Sequence, residues 1–224
     1  MCGIVGLFLK TPDLQPDLGA LLTDMLVTMT DRGPDSAGLA IYGAGAPGMA
    51  KLTVQSDAAD AAFDTLAADL GADLGTEVAL RRQGSHAVLT LPAPQAERAR
   101  DALHCLRPGL RIMSHGDAVE IGEEIGLPER VARGLGVPGM GGTHGIGHTR
   151  MATESAVTTE GAHPFSTGSD QCLVHNGSLS NHNVLRRKLQ RDGVRIDSLN
   201  DTEVGAAYRT WEMAQGSSLG EALE

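Results

Sequence analysis

Apolar and polar positions along this chain follow two different periods, and the places where the period changes mark its elements. Residues 3–9 are a short apolar run of branched side chains closed by Lys10-Thr11-Pro12-Asp13, the pattern of a buried strand. Leu18, Leu21, Leu22, Met25, Leu26 and Met29 then recur at helical spacing. They predict an amphipathic helix that stops at the breaker Arg32-Gly33-Pro34. A second strand is expected over 39–42, followed by a Gly/Ala/Pro loop over 43–48.

From about residue 49 the texture changes. Strands are expected over 51–54, near 78, and over 86–91, 110–113 and 118–121, with helices over 58–70, 95–106 and 128–134. A glycine-rich stretch, 134–142, closes the segment. Residues 44–142 therefore read as an inserted α+β subdomain within one domain spanning 1–224. Beyond it the pattern predicts strands over 143–149 and 172–175 and helices over 181–191 and 201–214. The chain carries no internal repeat and no low-complexity tract.

Composition narrows the class. At 224 residues and 41% apolar the chain is long enough for a sizeable core, and with 3% aromatic residues that core must be aliphatic. Eighteen Lys and Arg against 28 Asp and Glu give a net charge of −10, which offers nothing to phosphate backbones or anionic lipid. Nucleic acid and membrane are thus set aside as partners. No run approaches the 18 apolar residues of a membrane span, and the first residues lack the basic flank of a signal peptide. The three cysteines, Cys2, Cys105 and Cys172, are odd in number and show no CxxC spacing. A reducing, cytoplasmic setting is expected, with Cys105 and Cys172 in the core.

Cys2 stands apart because it leads directly into the first strand. Once Met1 is removed, a thiol and a free α-amine share one residue anchored to a sheet. An α-amine titrates near ~7.7–8.0 and a free thiol near ~8.5, so the amine is a suitable base for the sulfur. The plainer reading is an incidental buried cysteine. Other candidates also have plain readings when taken singly. Asn176-Gly177 is a common hairpin turn, Arg150 a surface ion-pair residue, and Asp201 a first-turn acid behind the Asn200/Glu203 helix-start box. Gly134-Leu135-Gly136-Val137-Pro138-Gly139 spells GxGxxG, but it follows a helix and contains proline, so no dinucleotide loop is expected. His144 and His148 are four apart in a strand rather than a helix, and no metal site is assigned.

The combination decides. Six motifs resemble, in order, those of the class II glutamine amidotransferases, which are N-terminal nucleophile hydrolases. They are Met1-Cys2-Gly3-Ile4-Val5-Gly6, Asp31-Arg32-Gly33-Pro34-Asp35-Ser36-Ala37-Gly38, Gly147-His148-Thr149-Arg150-Met151-Ala152-Thr153, Ala162-His163-Pro164-Phe165, His175-Asn176-Gly177 and Asn200-Asp201-Thr202-Glu203. The resemblance implies an α+β fold, a four-layer α/β/β/α sandwich of the Ntn-hydrolase type with the small inserted subdomain at one side. It implies Cys2 as nucleophile with its α-amine as base, and an oxyanion hole from the Asn176 side chain and the Gly177 N–H. Arg150 would grip the glutamine α-carboxylate with its planar fork and Asp201 the α-ammonium. Thr153 would shape the carboxylate end, and Arg32 would lie close to the nucleophile.

Within the family the motifs are most similar to the amidotransferase subunits of N-methylglutamate synthase and related glutamate-synthase-like complexes. That resemblance implies L-glutamine as substrate and synthase subunits as partners, with FMN and iron–sulfur clusters in those subunits and no cofactor in this chain. Glu154 stands where hexosamine-phosphate synthases carry histidine, which argues against a sugar acceptor. The last residues, Leu219-Gly220-Glu221-Ala222-Leu223-Glu224, read as an unfinished helix where the family's domain continues with further core strands. The alternative from another class is a catalytically silent subunit that senses glutamine or glutamate, or acts as a scaffold. A third reading is an amidase for another γ-glutamyl substrate.

Overall fold

A computed structural model describes residues 2–151 and 161–223. Among them two four-stranded antiparallel sheets mix with helices. The first sheet has the order β1 (Gly3–Phe8), β8 (His144–Arg150), β2 (Ser36–Tyr42), β7 (Val119–Ile125). The second has the order β4 (Ala79–Gln83), β5 (His86–Pro92), β3 (Met49–Gln55), β6 (Arg111–Gly116).

Each sheet buries one face under its own helices. Leu18, Leu22 and Leu26 of α1 (Leu18–Val27) are fully buried at one-turn intervals. They pack with Val5, Leu39, Ile41 and Val131, the last from α5 (Pro128–Gly134). At roughly 1.5–3 kcal/mol for each buried leucine, this stripe pins β1, and with it the residue before β1, onto the sheet. Leu21, counted in the expected stripe, is 38% exposed at its edge. On the second sheet, α3 (Leu66–Leu74) and α4 (Ala96–Leu106) cover Leu52, Val54, Leu89 and Leu91.

Several expected elements are corrected. The helix expected over 58–70 is two, α2 (Ala59–Phe63) and α3, with exposed Thr65 at the break, its hydroxyl donating to Asp69 Oδ2 at 2.7 Å. The strand expected over 172–175 is only an isolated bridge, Phe165 to Leu173. There the carbonyl of Cys172 accepts from Arg209 Nη1 at 3.1 Å, so a side chain takes the place of a neighbouring strand. Cys105, expected in the core, is exposed on the outer side of α4, whereas Cys172 is buried. Val119–Ile125, within the expected 44–142 insertion, is instead an edge strand of the first sheet. The turn that carries the chain between the sheets is clamped by Asp170, whose carboxylate accepts the N–H groups of Asp117, Ala118 and Val119 at 2.8–2.9 Å.

The last helices stand together. α6 (His182–Arg191) packs on α7 (Asp201–Ala214) through Leu189, Val204 and Ala207. Asn200 caps α7 by accepting the Thr202 N–H at 2.9 Å. Glu203 does not close the expected capping box. Its carboxylate instead accepts the N–H groups of Asp197 and Ser198, at 2.8 and 2.6 Å, and so folds the 197–200 turn.

Candidate active site

The start of the first sheet gathers residues from four distant parts of the sequence. Cys2 is half-buried immediately before β1. Its carbonyl oxygen accepts from Asn176 Nδ2 at 3.1 Å and lies 3.5 Å from Arg32 Nε. The Asp31–Pro34 loop reaches this position because Gly33 lies against the end of β8. A Cβ there would stand 2.5 Å from the Thr149 carbonyl carbon and 2.6 Å from the Arg150 nitrogen. Only glycine allows that approach.

Asn176 is held from its other side. Its Oδ1 is 2.8 Å from Nε2 of His148, which is 1% exposed. The next residue, Gly177, has φ +156°, and a Cβ on it would come within 2.9 Å of His175 Nε2. The Asn–Gly loop thus needs its glycine on two counts. Asp201, the first residue of α7, accepts the Leu179 N–H with Oδ2 at 2.6 Å and ties that loop to the helix. Arg150 ends β8 with its guanidinium beside Gly161, whose Cβ, if built, would be 2.7 Å from Nη1.

A buried histidine pair lies under these groups. The rings of His148 and His163 stack with centroids 4.3 Å apart. His163 Nε2 is 2.8 Å from Thr202 Oγ1, one residue beyond Asp201. Burial, reinforced by neighbouring positive groups, holds His163 down to about 2. Burial likewise holds His148 down to about 4, against the hydrogen bond to Asn176 that pulls the other way. Both rings are neutral at physiological pH.

The structure therefore brings Cys2, Arg32 and Asn176 into contact and places Gly177 next in line. Arg150 adjoins them through its backbone against Gly33, and Asp201 is tied to Leu179, three residues past Asn176. Thr153, Glu154 and Met1 lie outside the described residues. His148 and His163 were visible in the sequence only as parts of motifs, and nothing in their spacing announced a stacked pair. Among the described residues no group of three or more His, Cys, Asp or Glu is arranged to hold a metal ion, and no helix is long and apolar enough to cross a membrane. A cavity of about 930 Å³ opens elsewhere, between the second sheet and α7, lined by Arg111, Glu123, Phe165, Glu203 and Trp211. None of the described candidate site residues lines it.

Comparison with known proteins agrees on the class. A solved structure, that of the allosteric regulatory enzyme of purine biosynthesis, superposes with a TM-score of 0.56 at 15% identity, over all of this chain and 32% of that one. The two chains accordingly share a fold. A glutamine amidotransferase domain matches residues 137–219. The glutamine amidotransferase-like protein GlxB of Rhizobium meliloti (strain 1021) is 60% identical over 223 residues, covering all of this chain and 74% of that protein. A putative glutamine amidotransferase of Methanothermobacter thermautotrophicus is 30% identical over 241 residues, again over the whole chain and 76% of the relative. The chain belongs to the glutamine amidotransferase family.

Proposed function

We propose that this chain is the glutaminase component of a class II amidotransferase, hydrolysing L-glutamine to glutamate and ammonia through a γ-glutamyl thioester on Cys2. The observation that carries the reading is the 3.1 Å contact from Asn176 Nδ2 to the Cys2 carbonyl, which joins an amide donor to the cysteine across 174 residues of sequence.

In this reading the Cys2 α-amine takes the thiol proton and the sulfur attacks the side-chain amide carbon. The oxyanion is held by Asn176 Nδ2 and the Gly177 N–H, and the α-amine returns the proton to the departing ammonia. Water then enters the thioester by the same route in reverse. Arg150 takes the α-carboxylate, with Thr153 shaping that end, and Asp201 takes the α-ammonium, so that both charges of the amino acid are read. Arg32, beside the Cys2 carbonyl, places positive charge near the nucleophile.

Ammonia passes to a separate synthase subunit of the glutamate or N-methylglutamate synthase type, which carries the flavin and iron–sulfur chemistry. The four-layer stacking of the Ntn fold belongs to the same proposal. So does docking of this partner on the part of 44–142 that forms the second sheet, residues 49–116, which has its own core under α3 and α4.

The test is intact-mass spectrometry of the purified chain before and after a glutamine-analogue diazoketone, together with glutamine hydrolysis by Cys2→Ala. A single adduct on Cys2 and complete loss of hydrolysis in a folded variant are expected. Full glutaminase activity in Cys2→Ala would overturn the assignment, and binding of glutamine without turnover by a chain bearing a free Cys2 amine would favour the sensing subunit.

A further inference from the structure

His148 sits on the face of β8 that points away from α1. Its neighbours Gly145 and Gly147 lie against Leu22 and Leu26 of that helix, and alternation turns His148 to the other side. There its Nε2 approaches Asn176 Oδ1 at 2.8 Å while the Nδ2 of the same amide donates to the Cys2 carbonyl at 3.1 Å. With the amide Nδ2 donating to the Cys2 carbonyl, Oδ1 accepts, and the Nε2–H form of His148 is the one that donates to it; the ring also meets the backbone of His175, beside Asn176.

An asparagine amide has two nearly equivalent orientations that exchange its oxygen and its nitrogen. Turned one way, Asn176 presents an N–H to the N-terminal cysteine. Turned the other way it presents an acceptor, which repels a developing oxyanion. A donor fixed behind Oδ1 selects the first orientation.

We infer that His148 is a positioning residue for glutamine hydrolysis, holding Asn176 with its N–H toward Cys2 before the oxyanion forms. This rests on the reading of Asn176 as the oxyanion donor. Stacking on His163 keeps the imidazole in place, and His163 is tied to Thr202 at the start of α7. The ring pair thus fixes the Asn–Gly loop and the helix start bearing Asp201 relative to one another. Burial keeps both rings neutral above pH 5, so neither changes charge between pH 5 and pH 8.

The experiment uses the full chain with His148→Phe and His148→Gln, since a glutamine side-chain N–H stands close to where Nε2–H stood. His148→Phe is expected to lower kcat about 10- to 100-fold with KM changed less than about twofold, a smaller loss than the ~10²–10³ for removing an oxyanion donor outright. His148→Gln is expected to recover most of that loss. Iodoacetamide, which alkylates Cys2 without needing an oxyanion donor, is expected to react at the same rate in all three proteins.

A second readout does not depend on turnover. The side-chain amide resonances of Asn176, assigned by their loss in Asn176→Ala, are expected to shift in His148→Phe and to lie near the wild-type position in His148→Gln. Unchanged kcat in a folded His148→Phe protein would overturn the inference, as would equal losses in both variants with an unmoved Asn176 amide. If His148→Phe does not fold, His148→Gln against His148→Asn decides, because asparagine is too short to reach Oδ1, and equal kcat in those two overturns the inference. If the wild-type chain hydrolyses no glutamine, the glutaminase reading fails, and with it the catalytic part of the inference. The amide resonances then still show whether His148 orients Asn176.

Discussion

Thr149 Oγ1 accepts the backbone N–H of Gly3 at 3.1 Å, so the residue after Cys2 is held by a side chain from the neighbouring strand. Both residues are buried and face each other in the β1–β8 register. The same hydroxyl lies 3.4 Å from the Met29 carbonyl past the end of α1. The position of the N-terminal cysteine is thereby set by three elements at once.

Thr149→Val keeps the shape and removes the acceptor, leaving the Gly3 N–H buried and unsatisfied. A loss of about 1–3 kcal/mol of stability is expected in urea unfolding. Thr149→Ser keeps the hydroxyl and should cost no more than about 1 kcal/mol for the lost methyl. Alkylation of Cys2 measured by mass spectrometry should change in the valine variant and not in the serine one. Equal stability of the two would show that the hydroxyl contributes nothing.

Asp201 has two separable duties, one structural and one assigned by the proposed function. Its Oδ2 accepts the Leu179 N–H at 2.6 Å, and its charge would read the substrate ammonium. Asp201→Asn keeps an acceptor for Leu179 and loses the charge, so KM for glutamine should rise at least about tenfold with little change in thermal unfolding. Asp201→Ala should lose both. Similar KM values for wild type and Asp201→Asn, from steady-state ammonia release, would remove Asp201 from substrate recognition.

Gly177→Ala tests the loop itself. With φ at +156° and a Cβ 2.9 Å from His175 Nε2, alanine must displace either the backbone or that ring. Because the Gly177 N–H is one of two proposed oxyanion donors, kcat should fall on the order of 10²-fold or more while the far-ultraviolet spectrum is retained. Wild-type kcat in this variant would mean that the loop does not contribute its N–H.

Where the apolar period was clean, the elements could be read from the sequence. The α1 stripe of Leu18, Leu22 and Leu26 and the helix over 201–214 are of this kind. The period failed where side chains stood in for backbone partners. Residues 172–175 look like a strand, yet the Cys172 carbonyl pairs with Arg209 rather than with a neighbouring strand. Cys105 departs from the burial usual for cysteine because its place on α4 turns it outward. At the site, Cys2 and Asn176 could be linked only by the order of motifs, since no local pattern relates residues 174 apart. The His148–His163 stack depends on strand alternation and a loop return together, which spacing alone does not encode.

Stability against pH should carry two opposed limbs. Glu123 is 1% exposed, its Oε2 has no hydrogen-bond partner, and Arg111 Nη2 is 4.0 Å away. Burial outweighs the relief from Arg111, and nearby Glu203 adds to it, so the carboxyl is pushed up to about 8. Between its ordinary value of 4.5 and about 8, the folded chain holds a proton that the unfolded chain has released. Stability from this group therefore falls as pH rises through that window. His86 and His148, held down to about 4, and His163, held to about 2, act in the opposite sense. The unfolded chain takes up their protons below about 6.5 while the folded chain does not, so stability is lost as pH falls from there. Glu123→Gln removes the first limb alone. Relative to wild type, the variant should gain on the order of 2 kcal/mol between pH 6 and pH 8 in urea unfolding. Below pH 6.5 it should fall more steeply, because Glu123 no longer offsets one of the histidine protons. Parallel profiles for the two proteins would mean that Glu123 is ionised in the folded chain throughout, and that Arg111 compensates its burial in full.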